Sequence, residues 1–140
     1  MIDFFLLVVL LGAASVLLWM FQRRDGQFRA PVERLSLDGN RLTASELGYA
    51  LGGRATFVQF SSRVCATCPQ VRRVLGSVAS DHDGVTHIEV SSEDRPDLVR
   101  RLGIMRTPTV LLLDPDGAVT ARTTGAIRPD QAAAALGAQR

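Results

Sequence analysis

Two cysteines, Cys65 and Cys68, are the residues whose type and spacing point most directly to chemistry. They are the only cysteines in the chain, and two residues separate them. The apolar run Ala55–Phe60 precedes them and a segment with helical spacing follows, so the pair is predicted at a strand-to-helix turn. Unpaired N–H groups at a helix start favour a thiolate at Cys65, and Cys68 lies close enough to attack a mixed disulfide formed there. The pattern predicts a redox pair.

The residues around the cysteines carry positive charge only. No carboxylate occurs between Arg54 and Ser80, whereas arginines occupy four positions there: Arg54, Arg63, Arg72 and Arg73. Nearby positive charge lowers the pKa of a thiol from its usual value of about 8.5. We therefore expect Arg63 to stabilise the Cys65 thiolate. Arg72 and Arg73 are interpreted as solvated charges on a helix face first and as thiolate stabilisers second.

Two other interpretations of the cysteines are open. They could be inert buried thiols, although two such cysteines would rarely fall at this turn. They could also bind zinc, because Cys65 and Cys68 followed by His82 and His87 satisfy a Cys2His2 spacing. The Asp83-Gly84 pair breaks any helix between the histidines, which argues against a zinc finger. We therefore predict no metal, with His82 near a helix end and His87 in a strand.

Composition sets the limits of the chain. At 140 residues it has room for one domain and an appendage. A formal net charge of +2 implies neither a nucleic-acid partner nor disorder. All 16 basic residues are arginine, so no lysine nucleophile or Schiff base is available. Two cysteines cannot form a multi-bridge disulfide scaffold.

An apolar segment lies at the N-terminus. Phe4–Phe21 is an uncharged run of 18 residues, which as a helix spans about 27 Å, close to the hydrocarbon core of a bilayer. A cleaved signal peptide lacks support, because the chain opens with Met1-Ile2-Asp3 and no small residues are well placed for cleavage. A buried core helix is also disfavoured, because such a helix normally has a polar face and this run has none. We predict a transmembrane anchor over residues 1–22 and a linker over residues 23–31.

The charges that flank this segment suggest an orientation. Asp3 is the only charge before it, whereas arginines follow it at four positions: Arg23, Arg24, Arg29 and Arg34. By the positive-inside rule the C-terminal side faces the cytoplasm. We therefore predict a single-pass protein of the cell membrane with its soluble domain on the cytoplasmic face, and the extracytoplasmic face is left open.

The remaining residues, 32–140, alternate between strand and helix patterns. The predicted strands are Val32–Leu37, Ala55–Phe60, Thr86–Val90, Thr109–Leu113 and Ala118–Thr123. The predicted helices are Thr43–Leu51, a helix after the cysteines that contains Val71 to Val78, Arg95–Leu102 and Asp130–Ala138. The last two strands form a hairpin around Pro115-Asp116-Gly117. This order predicts an α/β three-layer sandwich with a mixed central sheet.

The element order, the Cys65-Ala66-Thr67-Cys68 turn and Thr107-Pro108-Thr109 before a later strand together resemble the thioredoxin superfamily. Asp114–Gly117 matches its hairpin turn and Gly125 its glycine before the last helix. The resemblance covers roughly residues 32–138. With the apolar N-terminal segment, the chain looks like the membrane-tethered thioredoxin-like proteins of bacteria.

The resemblance implies a protein thiol–disulfide oxidoreductase. Cys65 is the exchanging thiol and Cys68 the resolving thiol, and a cis peptide before Pro108 turns the Thr107 backbone towards them. The substrate-binding residues are then Thr107, Pro108, Val64, Ala66 and Thr67. No cofactor is implied, and electrons come from a partner dithiol. We expect a monomer that acts on protein disulfides or dithiols.

Four residues depart from the family pattern. Ala66-Thr67 replaces the usual Gly-Pro, Val64 replaces a common tryptophan, and Gln59 stands where thioredoxins often bury an aspartate. An amide can form hydrogen bonds but cannot serve as a general base. The missing tryptophan and aspartate support an alternative, a non-catalytic thioredoxin-like module that binds a membrane partner. The retention of both cysteines argues against it.

Overall fold

A computed structural model of the protein describes residues 2–24, 28 and 41–139. Its helices are α1 Ile2–Arg24, α2 Ala44–Leu47, α3 Cys68–Ser80, α4 Pro96–Arg101 and α5 Pro129–Gly137. Its strands are β1 Ala55–Ser61, β2 Val85–Ser91, β3 Thr109–Leu113 and β4 Val119–Thr124. The strand predicted over Val32–Leu37 and most of the predicted linker lie outside the described residues.

The four strands form one mixed sheet in the order β2-β1-β3-β4. β1 runs parallel to β2 and antiparallel to β3, and β3 pairs antiparallel with β4 through the predicted hairpin. In the β1–β2 register Gln59 lies opposite Glu89. The predicted α/β sandwich with a mixed sheet is confirmed for this part of the chain.

Apolar residues cover both faces of the sheet, because successive side chains of a strand point to opposite faces. Val58 and Phe60 of β1 belong to a cluster that includes Leu47 of α2 and Leu98 of α4. Phe57, on the other face of β1, belongs to a second cluster. That cluster contains Val71, Leu75 and Val78 of α3 and Ala132, Ala135 and Leu136 of α5. The sheet is therefore the middle of three layers, and β1 is buried at all seven positions.

α2 is shorter than predicted. The Thr43 side chain accepts a hydrogen bond from the Glu46 N–H, and the Glu46 side chain accepts one from the Thr43 N–H, so the two residues form a capping box at the start of the helix. The prediction that the helix continues to Leu51 is wrong. Gly48 has a φ of 75° and its N–H bonds the Ala44 carbonyl, which ends the helix after one turn.

The N-terminal helix α1 covers the apolar run and continues to Arg24. Its large apolar side chains between Leu6 and Phe21 are 50–68% exposed. In the described part of the chain, no helix meets the length and apolarity needed to cross a bilayer, so the predicted transmembrane anchor is not supported.

Candidate active site

The two cysteines form a disulfide bond between β1 and α3. Their sulfur atoms are 2.09 Å apart and their Cα atoms 5.5 Å apart. Cys68 is the first residue of α3 and is 2% exposed, whereas Cys65 lies in the preceding turn and is partly exposed. Cys65 is therefore the cysteine of the pair that is more accessible to an approaching thiol.

The start of α3 offers unpaired backbone donors. Thr67 precedes the helix without a side-chain cap bond, and the first turn carries no acidic residue. Pro69 occupies the first turn, where its missing N–H removes no helical bond. Its position is thus compatible with a helix that begins at Cys68. An uncapped helix start favours negative charge, which suits a thiolate in the preceding turn.

The positive charge counted from the sequence is partly neutralised in the fold. Arg72 donates two hydrogen bonds to Glu89 of β2, from Nε at 2.5 Å and from Nη2 at 2.8 Å. The backbone N–H of Arg63 donates to Glu93 Oε1 at 3.0 Å, which brings a second carboxylate to the cysteine turn. This bond lowers the pKa of Glu93, and the Arg72 bonds lower the pKa of Glu89. Arg72 is therefore paired with a carboxylate rather than free to stabilise the Cys65 thiolate.

A buried amide lies directly behind the disulfide. Gln59 is fully buried, and its Nε2 donates to the Cys68 carbonyl oxygen at 3.0 Å and to Ser61 Oγ at 2.9 Å. Ser61 Oγ in turn donates to Glu89 Oε1 at 2.7 Å. A continuous chain of hydrogen bonds thus joins Cys68 to Glu89 and then to Arg72.

His87 completes this cluster from β2. Its Nε2 lies 3.1 Å from Gln59 Oε1. Because both Gln59 amide hydrogens are used in other bonds, Oε1 must accept, and His87 Nε2 carries the proton. Burial lowers the pKa of His87, against the opposing effect of the Glu89 charge. The neutral ring then carries its unshared electron pair on Nδ1.

The loop before β3 lies against the turn that holds the cysteines. The Thr107–Pro108 peptide is cis, as the resemblance implied. Ser62 Oγ and Thr107 Oγ1 are 2.9 Å apart, which connects this loop to the cysteine turn. The Gly125 N–H donates to the Pro108 carbonyl at 3.0 Å, so the end of β4 holds the same loop. The predicted residues Thr107 and Pro108 are therefore brought to the site.

Two exposed apolar side chains belong to these loops. Val64 is 92% exposed and Met105 is 91% exposed. Ala66 is also exposed, and Thr67 is partly exposed. The predicted substrate-binding residues Val64, Ala66 and Thr67 are thus all at least partly exposed in the turn that holds the cysteines, and Met105 is an exposed apolar residue of the neighbouring loop that the sequence analysis missed.

The zinc alternative gains no support. His82 Nδ1 lies 2.8 Å from the Val78 carbonyl at the end of α3, and His87 bonds Gln59. Among residues 2–24, 28 and 41–139, no group of three or more His, Cys, Asp or Glu side chains is arranged to hold a metal ion.

Comparison with known proteins identifies the fold. A family model described as a thioredoxin-like domain matches residues 49–140. The chain belongs to the thioredoxin-like domain family. With its Cys65–Cys68 redox pair, this thioredoxin-like protein is a thiol–disulfide oxidoreductase. No curated protein matches the chain.

Solved structures of thioredoxins show the same architecture. Chloroplastic thioredoxin z is 25% identical, with a TM-score of 0.59 over 70% of this chain and 90% of its own. Thioredoxin-2 of a malaria parasite, a component of the parasite's protein secretion machinery, is 15% identical. Its TM-score is 0.56 over 61% of this chain and 82% of its own. DsbF of MTB is 21% identical, with a TM-score of 0.51 over 63% and 82%.

The residues that sequence reasoning missed are Ser61, Ser62, Glu89 and Met105. A signal for two of them was present. Gln59 and Ser61 in β1, like His87 and Glu89 in β2, are polar residues two positions apart in strands that are otherwise largely apolar. Side chains two positions apart point to one face, so a polar cluster on the α3 side of the sheet was predictable once β1 and β2 were paired.

Proposed function

We propose that the protein exchanges disulfides with protein partners through Cys65, and that Cys68 resolves the mixed disulfide. The observation that carries this proposal is the unequal exposure of the two bonded cysteines. Cys68 is 2% exposed, so a partner can reach the pair only through Cys65. The uncapped start of α3 supports a Cys65 thiolate.

The residues around the disulfide fit an extended polypeptide. Val64 and Met105 present apolar side chains on the two loops joined by the Ser62–Thr107 contact. Thr107, Ala66 and Thr67 complete the proposed binding surface, whereas Pro108 is buried and would contribute through the cis peptide that orients the Thr107 backbone. We propose a protein dithiol as the electron donor, with no cofactor, no nucleic acid and a monomeric chain.

Trapping with single-cysteine variants tests the assigned roles. With Cys68→Ser the mixed disulfide forms and cannot be resolved, so partners should be trapped covalently through Cys65. Cys65→Ser is the matched control, and it should trap few partners and lose turnover. In the reduced protein, thiol alkylation against pH should show Cys65 reacting with a pKa well below about 8.5.

Equal trapping by the two variants would show that the roles are assigned wrongly. A Cys65 that titrates like a free thiol, together with no disulfide turnover in the unaltered protein, would favour the alternative, a non-catalytic thioredoxin-like module that binds a membrane partner. That alternative is supported by Gln59, which provides no general base at its position.

We also propose that α1 associates with the cell membrane and that the domain lies on its cytoplasmic face. The exposed apolar side chains of α1 support the first part, and the arginines that follow it support the second. Cell fractionation tests the membrane association: the full-length protein should sediment with the membranes, and recovery in the soluble fraction would contradict it. Labelling of reduced Cys65 by an impermeant thiol reagent in intact cells would place the domain on the extracytoplasmic face instead.

A further inference from the structure

Glu89 is the only carboxylate, among the described residues, in the hydrogen-bond chain that reaches Cys68. Its side chain is 26% exposed. One oxygen accepts from both Ser61 and Arg72, and the other accepts from Arg72 Nε. The Arg72 bonds lower the pKa of Glu89, so the group is ionised at neutral pH. Its two neighbours lead to Cys68 by different routes.

The two routes close a ring. In one direction, Glu89 holds the Ser61 hydroxyl, Ser61 accepts from Gln59 Nε2, and Gln59 Nε2 donates to the Cys68 carbonyl. In the other direction, Glu89 holds Arg72, which lies four residues after Cys68 in the same helix. In an α-helix the N–H of a residue bonds the carbonyl four residues earlier, so both routes end on the Cys68 carbonyl. The ring fastens the first turn of α3 to β1 and β2.

We propose that Glu89 is a positioning residue for the resolving cysteine. Its carboxylate holds Ser61 and Arg72, and through them it fixes the Cys68 peptide and the direction of the Cys68 sulfur. This inference rests on the exchange function proposed above.

The step in question begins with substrate sulfur bonded to Cys65. Cys68 gives its thiol proton to water or buffer, and its sulfur then bonds the Cys65 sulfur. The bond between Cys65 and the substrate breaks, and the substrate leaves as a thiolate. In this step the Cys68 sulfur is oxidised and the substrate sulfur is reduced, while Cys65 exchanges one disulfide partner for another. An intramolecular attack of this kind depends strongly on the orientation of the attacking atom.

The hydrogen-bond ring includes the Cys68 carbonyl and contains no atom of Cys65. The Cys65 N–H bonds the Ser62 carbonyl at 3.2 Å, outside the ring. Loss of the ring should therefore slow resolution and spare the first attack. A general loss of structure would slow both steps.

The two steps can be separated by reacting reduced full-length protein with the aromatic disulfide dithiobis-nitrobenzoate. Each step releases one coloured thiolate, so each appears as its own phase. The first phase is the attack by Cys65, and its rate rises with reagent concentration. The second phase is the attack by Cys68, and its rate is independent of reagent concentration. The variants are Glu89→Gln, which removes the charge, and Ser61→Ala, which cuts the ring but keeps the Arg72–Glu89 pair. Asp130→Asn is the control, because it removes a carboxylate from an exposed arginine pair outside the ring.

We expect Glu89→Gln and Ser61→Ala to slow the second phase about tenfold, the effect of losing one hydrogen bond to a charged group. The first phase should stay within about twofold, and the pH profile of the second phase should fall in height without changing shape. Asp130→Asn should match the unaltered protein in both phases. If Glu89→Gln does not fold, Ser61→Ala decides the question.

Three results would overturn the positioning role. The first is an unchanged second phase in both variants, and the second is equal slowing of both phases. The third is a shifted pH profile of the second phase, which would assign Glu89 to proton transfer instead. If the unaltered protein shows no second phase, the exchange function itself fails, so the two failures are distinguishable.

Discussion

The substitution Gln59→Asp restores the carboxylate that thioredoxins often bury behind the resolving cysteine. In this fold the change is costly, because Gln59 donates to the Cys68 carbonyl and to Ser61 Oγ. A carboxylate cannot donate, and it would lie opposite Glu89 in the β1–β2 register. Two lost hydrogen bonds at about 1 kcal/mol each, together with the burial of a charge, predict a loss of about 2–4 kcal/mol in unfolding free energy. For a domain of this size that lowers the Tm by about 10–20 °C.

The loss should depend on pH. Burial and the Glu89 charge raise the pKa of the introduced carboxyl above its unfolded value of about 3.9. The unfolded chain then releases the proton more readily than the folded one, so the loss grows as pH rises from about 4 to the folded pKa and is constant above it. Gln59→Asn is the matched control, because an asparagine side chain has the same length as aspartate and carries no charge.

Denaturant unfolding of the three proteins between pH 4 and 8 measures the effect. Despite the lower stability, the second phase of the aromatic disulfide reaction should be faster for Gln59→Asp than for Gln59→Asn near neutral pH. The reason is that a buried carboxylate can accept the Cys68 proton. Equal stability of the two variants at every pH would refute the reasoning about the buried charge. An unchanged second phase would show that water or another base already accepts the proton.

Three further predictions concern other parts of the domain. Burial lowers the pKa of His87 below its usual 6.5, so the unfolded chain binds this proton more tightly and stability should fall as pH drops below about 6.5. His87→Gln keeps a donor for Gln59, and it should reduce the dependence of stability on pH in unfolding experiments between pH 5 and 7. An unchanged dependence would show that a group other than His87 causes it. Thr43→Ala removes the cap of α2 and should lower the unfolding free energy by about 1 kcal/mol, whereas Thr43→Ser keeps the hydroxyl that caps the helix and should leave that free energy nearly unchanged. The full-length protein should purify without stoichiometric zinc and keep its Tm in chelator, and unfolding on chelation would restore the Cys2His2 interpretation.

The order of the described elements was predictable because each signal was local. Thr109–Leu113 is a continuous apolar run, and the structure has the same strand. Thr43 and Glu46 form a capping box three residues apart, and Pro69 fixes the start of α3. The end of α2 was mispredicted because, in the sequence, Gly48 is no stronger a helix-ending signal than Gly52 and Gly53, which follow it.

The electrostatics of the site were not predictable from local sequence. The stretch that contains Arg63 and Arg72 has no carboxylate of its own, and its carboxylates come from β2 and the turn after it. The parallel register places Glu89 beside Gln59, and register is a property of the folded sheet rather than of either strand. The Cys-x-x-Cys pair could therefore be located from sequence, but the groups that surround it could not.

The burial of Cys68 has a kinetic consequence. Because Cys65 alone is reachable, one sulfur must receive the oxidised partner and later the reduced one. The first partner must leave before the second arrives, so no complex that holds both partners covalently can form. Turnover should then follow ping-pong kinetics, with parallel lines in double-reciprocal plots when the two partners are varied. Under the proposed exchange function, the domain would thus be a carrier that alternates between an oxidised and a reduced state and binds one partner at a time.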